Sequence, residues 1–556
     1  MKLLDIRASF KDPVHGIVPV TGLEYEIIQH PVFQRLHGVK QLGLAYLVYP
    51  QAKHTRFEHS IGAMHVASAM AEGFLKNSRG IEEVLLRGEG EREDFVCFVR
   101  LAALLHDLGH LPYSHTTETV MYKCYEKGLL EKRTRRLVEK AEDKGKRLHE
   151  LVGCELMRRL FSDIKHGGRG KLRSILSGVR MVLCGEDDGA WKKVFTEHAI
   201  RICREMISGS ITDVDRMDYL VRDAHNTGAT YGRIDVERLA SGLCLRRYGG
   251  RVRIVVPSKI ISNVEELYYS RYMMYRWVYL HHKIIGLELT YQYALEGIAG
   301  EWEKIKRMID GLLPDPPSEL WEIFHPENMW RYTVEYNARI DDSLIDSLLR
   351  VAANKLPSTK AGTWSSRLLR RRTPLRPLAK RQEDLITSLA LRAKRITRGR
   401  EASLVEVGSR LMISITRAAK MSVDEKFRRD LAGRLGVKPK ERFPWGSGYG
   451  FLSKLAEEYL SSKLGVPREA VHVNIIQPIS GSLEEDPLVD VGGRLVPLRE
   501  TSLLIQSIHE AGKVPTVFVF YDEEVCRGEK RMREKALDSL TEFLLELARA
   551  TGAEAG

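Results

Sequence analysis

The chain has 556 residues, a mass of 63.4 kDa, a hydrophobic fraction of 43% and a formal net charge of +13. That length buries a sizeable core in two or three domains, and no run of ~18 apolar residues reads as a membrane span. The N-terminal MKLLDIRASFKDPVHG has neither an apolar core nor a small-residue cleavage site, so it does not read as a secretion signal.

Cys97, Cys124, Cys154, Cys184, Cys203, Cys244 and Cys526 are scattered, with none in CxxC. This reads as reduced thiols of a cytoplasmic protein and argues against a disulfide or zinc–thiolate framework. The basic balance fits either an ordinary soluble surface or affinity for phosphates in nucleotides or nucleic acid. Charged residues at 29% with few Asn and Gln resemble the balance of heat-adapted proteins.

In chain order, Asp12-Pro13 and His15-Gly16 mark a turn before the apolar IVPV. Helices are predicted over Leu23–His30, Val32–Gln41 and Phe57–Asn77, the last with apolar residues at Ile61, Met64, Ala67, Ala71 and Phe74. Arg79–Asp94 reads as a charged loop, and Phe95–Asp107 as a buried helix. Tyr122–Arg147 reads as an exposed, lysine-rich helix, His149–Phe161 as an amphipathic one, and 165–195 as a stretch with a Gly-rich connector. Glu197–Ser208 is predicted helical and leads into TDVDRMDYLVRD. Leu243–Tyr248 and Arg251–Val256 are predicted to pair across Gly249-Gly250. Glu265–Ala299 reads as one long helix rich in aromatics.

Beyond residue 300, Pro314–Pro317 and Thr363–Lys380 are expected to break helices. The latter carries the Arg367–Arg372 cluster, read first as a solvated face and second as a phosphate or single-stranded nucleic-acid patch. Val471–Ile476, Arg494–Pro497 and Thr516–Tyr521 read as strands and Asp522–Ala550 as a helix. The expected fold is mainly α: a helical bundle with extra helices and a small C-terminal α+β module. The expected segments are 1–300, 301–463 and 464–556.

The chemistry centres on LAALLHDLGHLPYSH, residues 101–115. Ending a buried helix on His106-Asp107 costs several kcal/mol unless something compensates, and a bound cation does so. A lone histidine on an apolar face is usually a satisfied core residue, so the argument rests on several groups together. His59 in RFEHS and an acid from Asp213, Asp215 or Asp218 complete a two-imidazole, two-carboxylate set for one divalent ion. Mn, Fe, Zn, Ni and Mg all suit it. Such an ion serves phosphoester hydrolysis. Arg56, His110, His115, His149, Arg216 and Arg271 add donors that would neutralise a polyphosphate if they converge.

His59…His106-Asp107…Asp215 matches the H…HD…D signature of HD-domain metal-dependent phosphohydrolases. KDPVHG (11–16), FQRL (33–36), KQLG (40–43), RFEHSIG (56–62), HDLGHLPYSH (106–115), HE (149–150), DVDRMDYLVRD (213–223) and VYLH (278–281) sharpen the match. Over about residues 10–300 the chain resembles the deoxynucleoside triphosphate triphosphohydrolases, including the catalytic core of the vertebrate SAM-and-HD-domain enzyme.

The resemblance implies that His59, His106, Asp107 and Asp215 hold the metal and that His115 acts as general acid. It implies that His110, Arg56, Arg216, Tyr219 and Arg271 contact the triphosphate and that Gln41 and Asp223 bond the 3′ hydroxyl. Leu42 and Tyr279 would crowd the 2′ position, and His149-Glu150 would support the catalytic histidine. Asp213 and Asp218 read as supporting residues. Positions that read an activating guanine nucleotide fall at Gln29 and His37, with Ala8 where a lysine is expected, which argues against activation of that type. Tyr275 replaces a histidine in the substrate pocket and leaves base preference open. The implied activity is hydrolysis of a dNTP to deoxynucleoside and inorganic triphosphate, in a cytoplasmic homo-oligomer. The alternatives are an HD-type phosphodiesterase or nucleotidase acting on other nucleotides or single-stranded nucleic acid, and a non-catalytic nucleic-acid-binding protein.

Overall fold

The computed structural model describes residues 4–88, 90–164, 170–209, 212–309, 311–397, 402–437, 448–478, 486–526 and 529–553. It divides into two compact units, each built from separated stretches of chain. One holds 1–280, 291–370 and 485–506; the other holds 281–290, 371–484 and 507–556.

The first unit opens with a hairpin of β1 (Ile6–Asp12) and β2 (Gly16–Thr21). Asp12 Oδ1 accepts the amides of Val14 and His15 and closes its turn. α1 (Gly22–Gln29) starts from Thr21, whose hydroxyl accepts the Glu24 amide while the Glu24 carboxylate accepts the Thr21 amide. This reciprocal capping satisfies donors that a helix start leaves open. The expected helix over Val32–Gln41 is shorter. Pro31–Gln34 is one α-turn, Arg35–Gly38 one 3-10 turn, and Lys40 then bridges to Thr55. Gly38 ends this turn hard against Asp341, where a Cβ would sit 1.9 Å from Oδ2.

α2 (Arg56–Asn77) and α3 (Arg92–Leu105) are the central buried helices. α2 needs Gly62, where a Cβ would lie 1.9 Å from Asp218 Oδ1. The charged loop before α3 contains a short helical turn, Glu82–Leu85.

The helix expected over Tyr122–Arg147 is two helices, α4 (His115–Glu126) and α5 (Lys132–Asp143). Gly128, at φ 69°, ends the first in a left-handed conformation. α6 (Leu148–Asp163) follows. Residues 165–169 of the expected connector lie outside the described residues, and the rest of it forms a helix, α7 (Gly170–Cys184). Its Ile175, Leu176, Val179 and Val182 recur at helical spacing and are buried.

α6 and α7 carry a disulfide between Cys154 and Cys184, with Cα atoms 5.6 Å apart. This corrects the reading of seven reduced thiols. The partners are 30 residues apart, Cys154 within α6 and Cys184 at the end of α7. The other five cysteines are free and buried.

α8 (Glu197–Ser208) and α9 (Val214–Thr227) complete the bundle, α9 starting from the Asp213 carboxylate, which accepts the Arg216 amide at 2.8 Å. β3 (Cys244–Tyr248) and β4 (Arg251–Pro257) pair antiparallel. Leu488–Val491 joins β4 in parallel, and Arg494–Pro497 joins that strand. Arg494–Pro497 thus belongs to this sheet, not to the sheet of Val471–Ile476.

The single long helix expected over Glu265–Ala299 is interrupted. α10 (Ile261–Met274) runs into a π-turn over Tyr275–Tyr279, and α11 (His282–Gly300) begins afresh. The Leu280 amide donates to Tyr275 O at 3.0 Å, the i to i+5 bond of a π-turn, a feature frequent at functional sites. α12 (Asp342–Lys355) and α13 (Lys360–Leu369) follow. α13 lies where a helix-breaking stretch was expected to begin.

In the second unit, Val471–Ile476, Thr516–Asp522 and Leu375–Pro377 form an antiparallel sheet. The helices Gln382–Thr397, Leu404–Met421, Gly448–Leu464 and Glu529–Ala550 bury Leu389, Leu411, Ile415, Leu452, Leu455, Phe543 and Leu547 in one core. Residues 527–528 of the expected C-terminal helix lie outside the described residues. The fold is mainly α with small sheets. Among the described residues, no helix is long and apolar enough to cross a membrane.

Candidate active site

α2, the end of α3 and the start of α9 bring His59, His106, Asp107 and Asp215 to one point. His59 Nε2 lies 3.1 Å from Asp215 Oδ1 and 3.5 Å from Asp107 Oδ2. His106 Nε2 lies 3.4 Å from Asp107 Oδ1 and 3.7 Å from Asp215 Oδ1.

Both imidazoles are fixed from behind. The His106 Nδ1–H donates to Ala103 O at 2.6 Å. The His59 Nδ1–H donates to Asp218 Oδ2 at 2.7 Å. A carbonyl and an ionised carboxylate only accept, so each Nδ1 carries the proton and each Nε2 turns a lone pair inward. These two Nε2 atoms are buried and, among the described residues, have no hydrogen-bond partner. Two orphaned imidazole nitrogens facing two carboxylates fit a divalent first-row ion. The surroundings also favour positive charge. Without a bound ion, burial opposes but the Asp215, Asp218 and Asp107 carboxylates push His59 up to about 10, so a proton on Nε2 and a bound cation compete for the same place. The Asp107 carboxyl is held well below the usual range, burial again opposing and Arg56, His106 and His110 prevailing.

The turn after His106 delivers a second cluster. His110 Nε2 lies 3.1 Å from Asp107 Oδ1, and its ring stacks on His149 at 4.0 Å. Burial, with Arg56 and His149 nearby, lowers its pKa and keeps it neutral. His115, at the start of α4, has its side chain about half exposed, at 52%. Glu118 sits behind it. The Glu118 carboxylate accepts from His149 Nδ1 at 3.0 Å and from His115 Nδ1 at 3.3 Å, and it also accepts the His149 amide at 3.1 Å. The inward nitrogens of His110, His115 and His149 lie close enough to hold an ion themselves. The face-to-face stacking and the shared Glu118 instead describe a linked proton-handling group.

Glu150 does not join this group. Its carboxylate accepts the Arg147 amide at 3.1 Å and caps α6. Glu118 takes the supporting place assigned to it, and its signal was the i, i+3 spacing from His115. Close packing of α6 behind the turn depends on Gly109, where a Cβ would meet His149 O at 2.1 Å and Gly153 N at 2.2 Å.

The remaining site residues divide into two sets. Arg56 Nη1 donates to Asp107 Oδ2 at 2.6 Å, and Nε donates to Ser114 Oγ at 3.1 Å. Arg216 pairs with Asp213 and donates to Gly209 O. Arg271 lies over the Tyr275 ring at 5.1 Å. Burial raises the Tyr219 phenol, with Tyr275 adding to this and Arg271 and Arg216 opposing, which places those groups around one another.

The other set lies around Asp223, whose carboxylate accepts from Tyr279 Oη at 2.7 Å and from His54 Nε2 at 2.7 Å. His54 was not foreseen, and its position in the short AKHTRF stretch carries no periodic signal. Tyr279 packs 5.1 Å from Tyr275 and 6.3 Å from Tyr219. Gln41 is buried with Oε1 unsatisfied, beside half-buried Leu42. Away from these clusters, Gln29 is exposed, the His37 ring stacks on Phe57 at 3.5 Å, and Ala8 pairs with Val20 in the hairpin. Arg367 covers the Trp364 ring at 4.6 Å, with Arg370 and Arg372 exposed.

A family model described as "HD domain" matches residues 56–223. An uncharacterised protein of Methanocaldococcus jannaschii is 33% identical over 271 residues, 49% of this chain and 45% of that one. The deoxynucleoside triphosphate triphosphohydrolase SAMHD1 of Gallus gallus is 27% identical over 319 residues, 51% of this chain and 45% of that one. The matches thus span about half the length of these relatives. Among solved structures, a phosphohydrolase from Bacteroides thetaiotaomicron aligns with a TM-score of 0.55 at 22% identity, covering 93% of this chain and 99% of that one. A hypothetical protein from Aquifex aeolicus aligns at 0.51 and 23%, covering 95% and 99%. The two structural likenesses speak for the fold. HD domains are metal-dependent, and the His/Asp cluster lies inside the matched segment. Residues 56–223 thus match the HD-domain model, and the chain resembles HD-domain phosphohydrolases, the deoxynucleoside triphosphate triphosphohydrolases among them.

Proposed function

We propose that the chain hydrolyses deoxynucleoside triphosphates to deoxynucleoside and inorganic triphosphate. The observation that carries this reading is the pair of orphaned nitrogens, His59 Nε2 and His106 Nε2, facing Asp107 and Asp215 beside the His115–Glu118 pair.

His59, His106, Asp107 and Asp215 would hold one divalent ion, among Mn, Fe, Zn, Ni and Mg. Such an ion supplies Lewis acidity at the α-phosphate and activates a nucleophilic water. The chain's own groups supply the rest. Water adds to the α-phosphorus, the bond to the 5′ oxygen breaks, and His115 Nε2 gives that oxygen its proton. Glu118 holds the His115 ring through Nδ1 and stabilises its protonated form. Arg56, Arg216 and Arg271 would take the triphosphate's charge as it leaves, with neutral His110 and Tyr219 in contact with it.

Gln41 Oε1 and Asp223 offer acceptors for a 3′ hydroxyl. By the same resemblance, Leu42 and Tyr279 would exclude a 2′ hydroxyl by bulk, and Tyr275 would face the base. By family analogy the working form is a homo-oligomer.

The test is a panel of ribo- and deoxyribonucleotides with released phosphate, pyrophosphate and triphosphate quantified separately. Triphosphate from dNTPs, lost in His106→Ala, is the expected result. Phosphate or pyrophosphate alone, or shortened oligonucleotides, would replace the proposed reaction with a nucleotidase or phosphodiesterase.

A further inference from the structure

The turn that delivers His115 is held in an unusual conformation. Tyr113 and Ser114, immediately before it, have φ of 56° and 52°. Side chains other than glycine avoid this region. Two consecutive residues stay there only where the surroundings hold them.

The hold comes from outside the HD-domain segment. Asp342, the first residue of α12, is 1% exposed. Its Oδ1 accepts the Tyr113 amide at 2.6 Å. Its Oδ2 accepts Lys40 Nζ at 3.0 Å and the Lys40 amide at 3.2 Å. The circuit closes through Lys40 O, which accepts from Ser114 Oγ at 3.0 Å, and Ser114 Oγ accepts from Arg56 Nε at 3.1 Å. One turn along α12, Asp346 Oδ1 accepts the Tyr113 hydroxyl at 2.5 Å. Arg35 braces the same turn from the other side. Its Nη1 donates to His110 O at 2.8 Å and to Ile340 O at 3.2 Å, and its Nη2 donates to Leu108 O at 2.8 Å. Among the described residues the Tyr113 amide thus has one acceptor, on α12, and His115 is two residues further on.

We propose that Asp342 is a positioning residue for the catalytic turn: its carboxylate holds the Tyr113 amide and so sets where the His115 imidazole stands. The HD site then depends on a helix beyond residue 223. The kinetic side of this inference rests on the proposed function; the structural side does not. A misplacement of about 1 Å in a reacting group costs roughly 100-fold in rate, so the effect belongs in kcat.

The test uses the full chain carrying Asp342→Ala, Asp342→Asn or Asp342→Glu. Asp342→Ala is expected to lower kcat for dNTP hydrolysis by about 30- to 100-fold. KM is expected to stay within about threefold, with metal content per chain unchanged. Asp342→Asn keeps an acceptor for the Tyr113 amide but turns its NH2 toward the two Lys40 donors, so its kcat is expected to fall between those of Asp342→Ala and the parent. Hydrogen exchange read by mass spectrometry should accelerate at least about tenfold in the peptide containing Tyr113 for Asp342→Ala, with peptides of α2 and α3 unchanged. Wild-type kcat or wild-type Tyr113 protection in Asp342→Ala would overturn the assignment. Should that variant not fold, Asp342→Glu decides. It keeps the charge for Lys40 but shifts the acceptor by one methylene, so a kcat loss at constant KM supports the role and wild-type kcat refutes it. If the parent protein releases no triphosphate from any dNTP, the proposed reaction fails and the exchange experiment alone decides the role of Asp342.

Discussion

Asp218→Asn is the perturbation that most directly probes how the ion site is tuned. Asp218 is fully buried. Its Oδ2 accepts from His59 Nδ1 at 2.7 Å and from Arg222 Nε at 2.9 Å; its Oδ1 accepts from His15 Nε2 at 2.6 Å and from Arg222 Nη2 at 2.9 Å. Burial opposes ionisation, but Arg222, His15 and His59 outweigh it and hold the carboxyl well below its usual range. All four partners are donors, and an amide can accept on one side only. If its NH2 faces His59, Nδ1 must accept, the proton moves to Nε2, and the lone pair meant for the ion is lost. Loss of such a supporting carboxylate costs about 10–100-fold in metal affinity, or roughly 1.4–2.8 kcal/mol. The fold suffers as well, because Arg222 keeps only Asp12, at 2.8 Å, as a carboxylate partner. Breaking a buried pair costs about 3–5 kcal/mol, and the surviving partner places this case near the lower end. Competition with a graded chelator gives the affinity, and calorimetric unfolding of the metal-stripped protein gives the stability. Wild-type metal affinity in a folded Asp218→Asn protein would refute the claim that Asp218 sets the His59 tautomer.

Glu118→Gln should lower kcat by about 100-fold or more, with metal content unchanged, since it unseats a general acid. The Glu118 carboxyl is held well below its usual range because bonds from His115 and His149 outweigh burial. Its stabilisation is therefore full above about pH 4.5 and disappears as pH falls through the lower folded value. The difference in thermal midpoint between parent and Glu118→Gln should shrink to nothing over that acid range. Gly109→Ala should destabilise by at least about 1–3 kcal/mol and release His149 from Glu118, seen as a lowered melting temperature together with lost activity. Reducing the Cys154–Cys184 disulfide, or Cys184→Ser, should cost about 3–4 kcal/mol, the chain-entropy value for a loop of that length. An unchanged denaturant midpoint with and without reductant would contradict this.

The cluster of His59, His106, Asp107 and Asp215, proposed as the ligand set, was legible because its residues punctuate strongly patterned helices. His59 follows Arg56-Phe57 at the start of α2, and His106-Asp107 ends an apolar run. The supporting layer was much less legible. Glu118 acts through the i, i+3 geometry of α4, which continues only if the helix starts at His115. The resemblance pointed instead to Glu150, whose carboxylate is taken up in capping α6. α7 was lost to its glycines, although Ile175, Leu176, Val179 and Val182 follow helical spacing, and the disulfide was lost with it. The interruption at Tyr275–Tyr279 has no glycine or proline to announce it. There the local pattern is helical throughout, and the surroundings of Tyr279, bonded to Asp223, override it.

These misses share a physical origin. A metal ligand is chosen by its own atoms, so residue type and local spacing reveal it. The groups that hold site residues and their turns are drawn from across the fold: Asp218 meets His59 over 159 residues and Asp342 meets Tyr113 over 229. Such contacts leave no periodic trace in the sequence. They are made possible by residues whose only visible property is small size. Gly62 lets α9 approach α2 closely enough for Asp218 to touch His59, and Gly109 lets α6 bring His149 to Glu118. In this chain, then, the motif supplies the donors, and a few close approaches between helices decide which way those donors point.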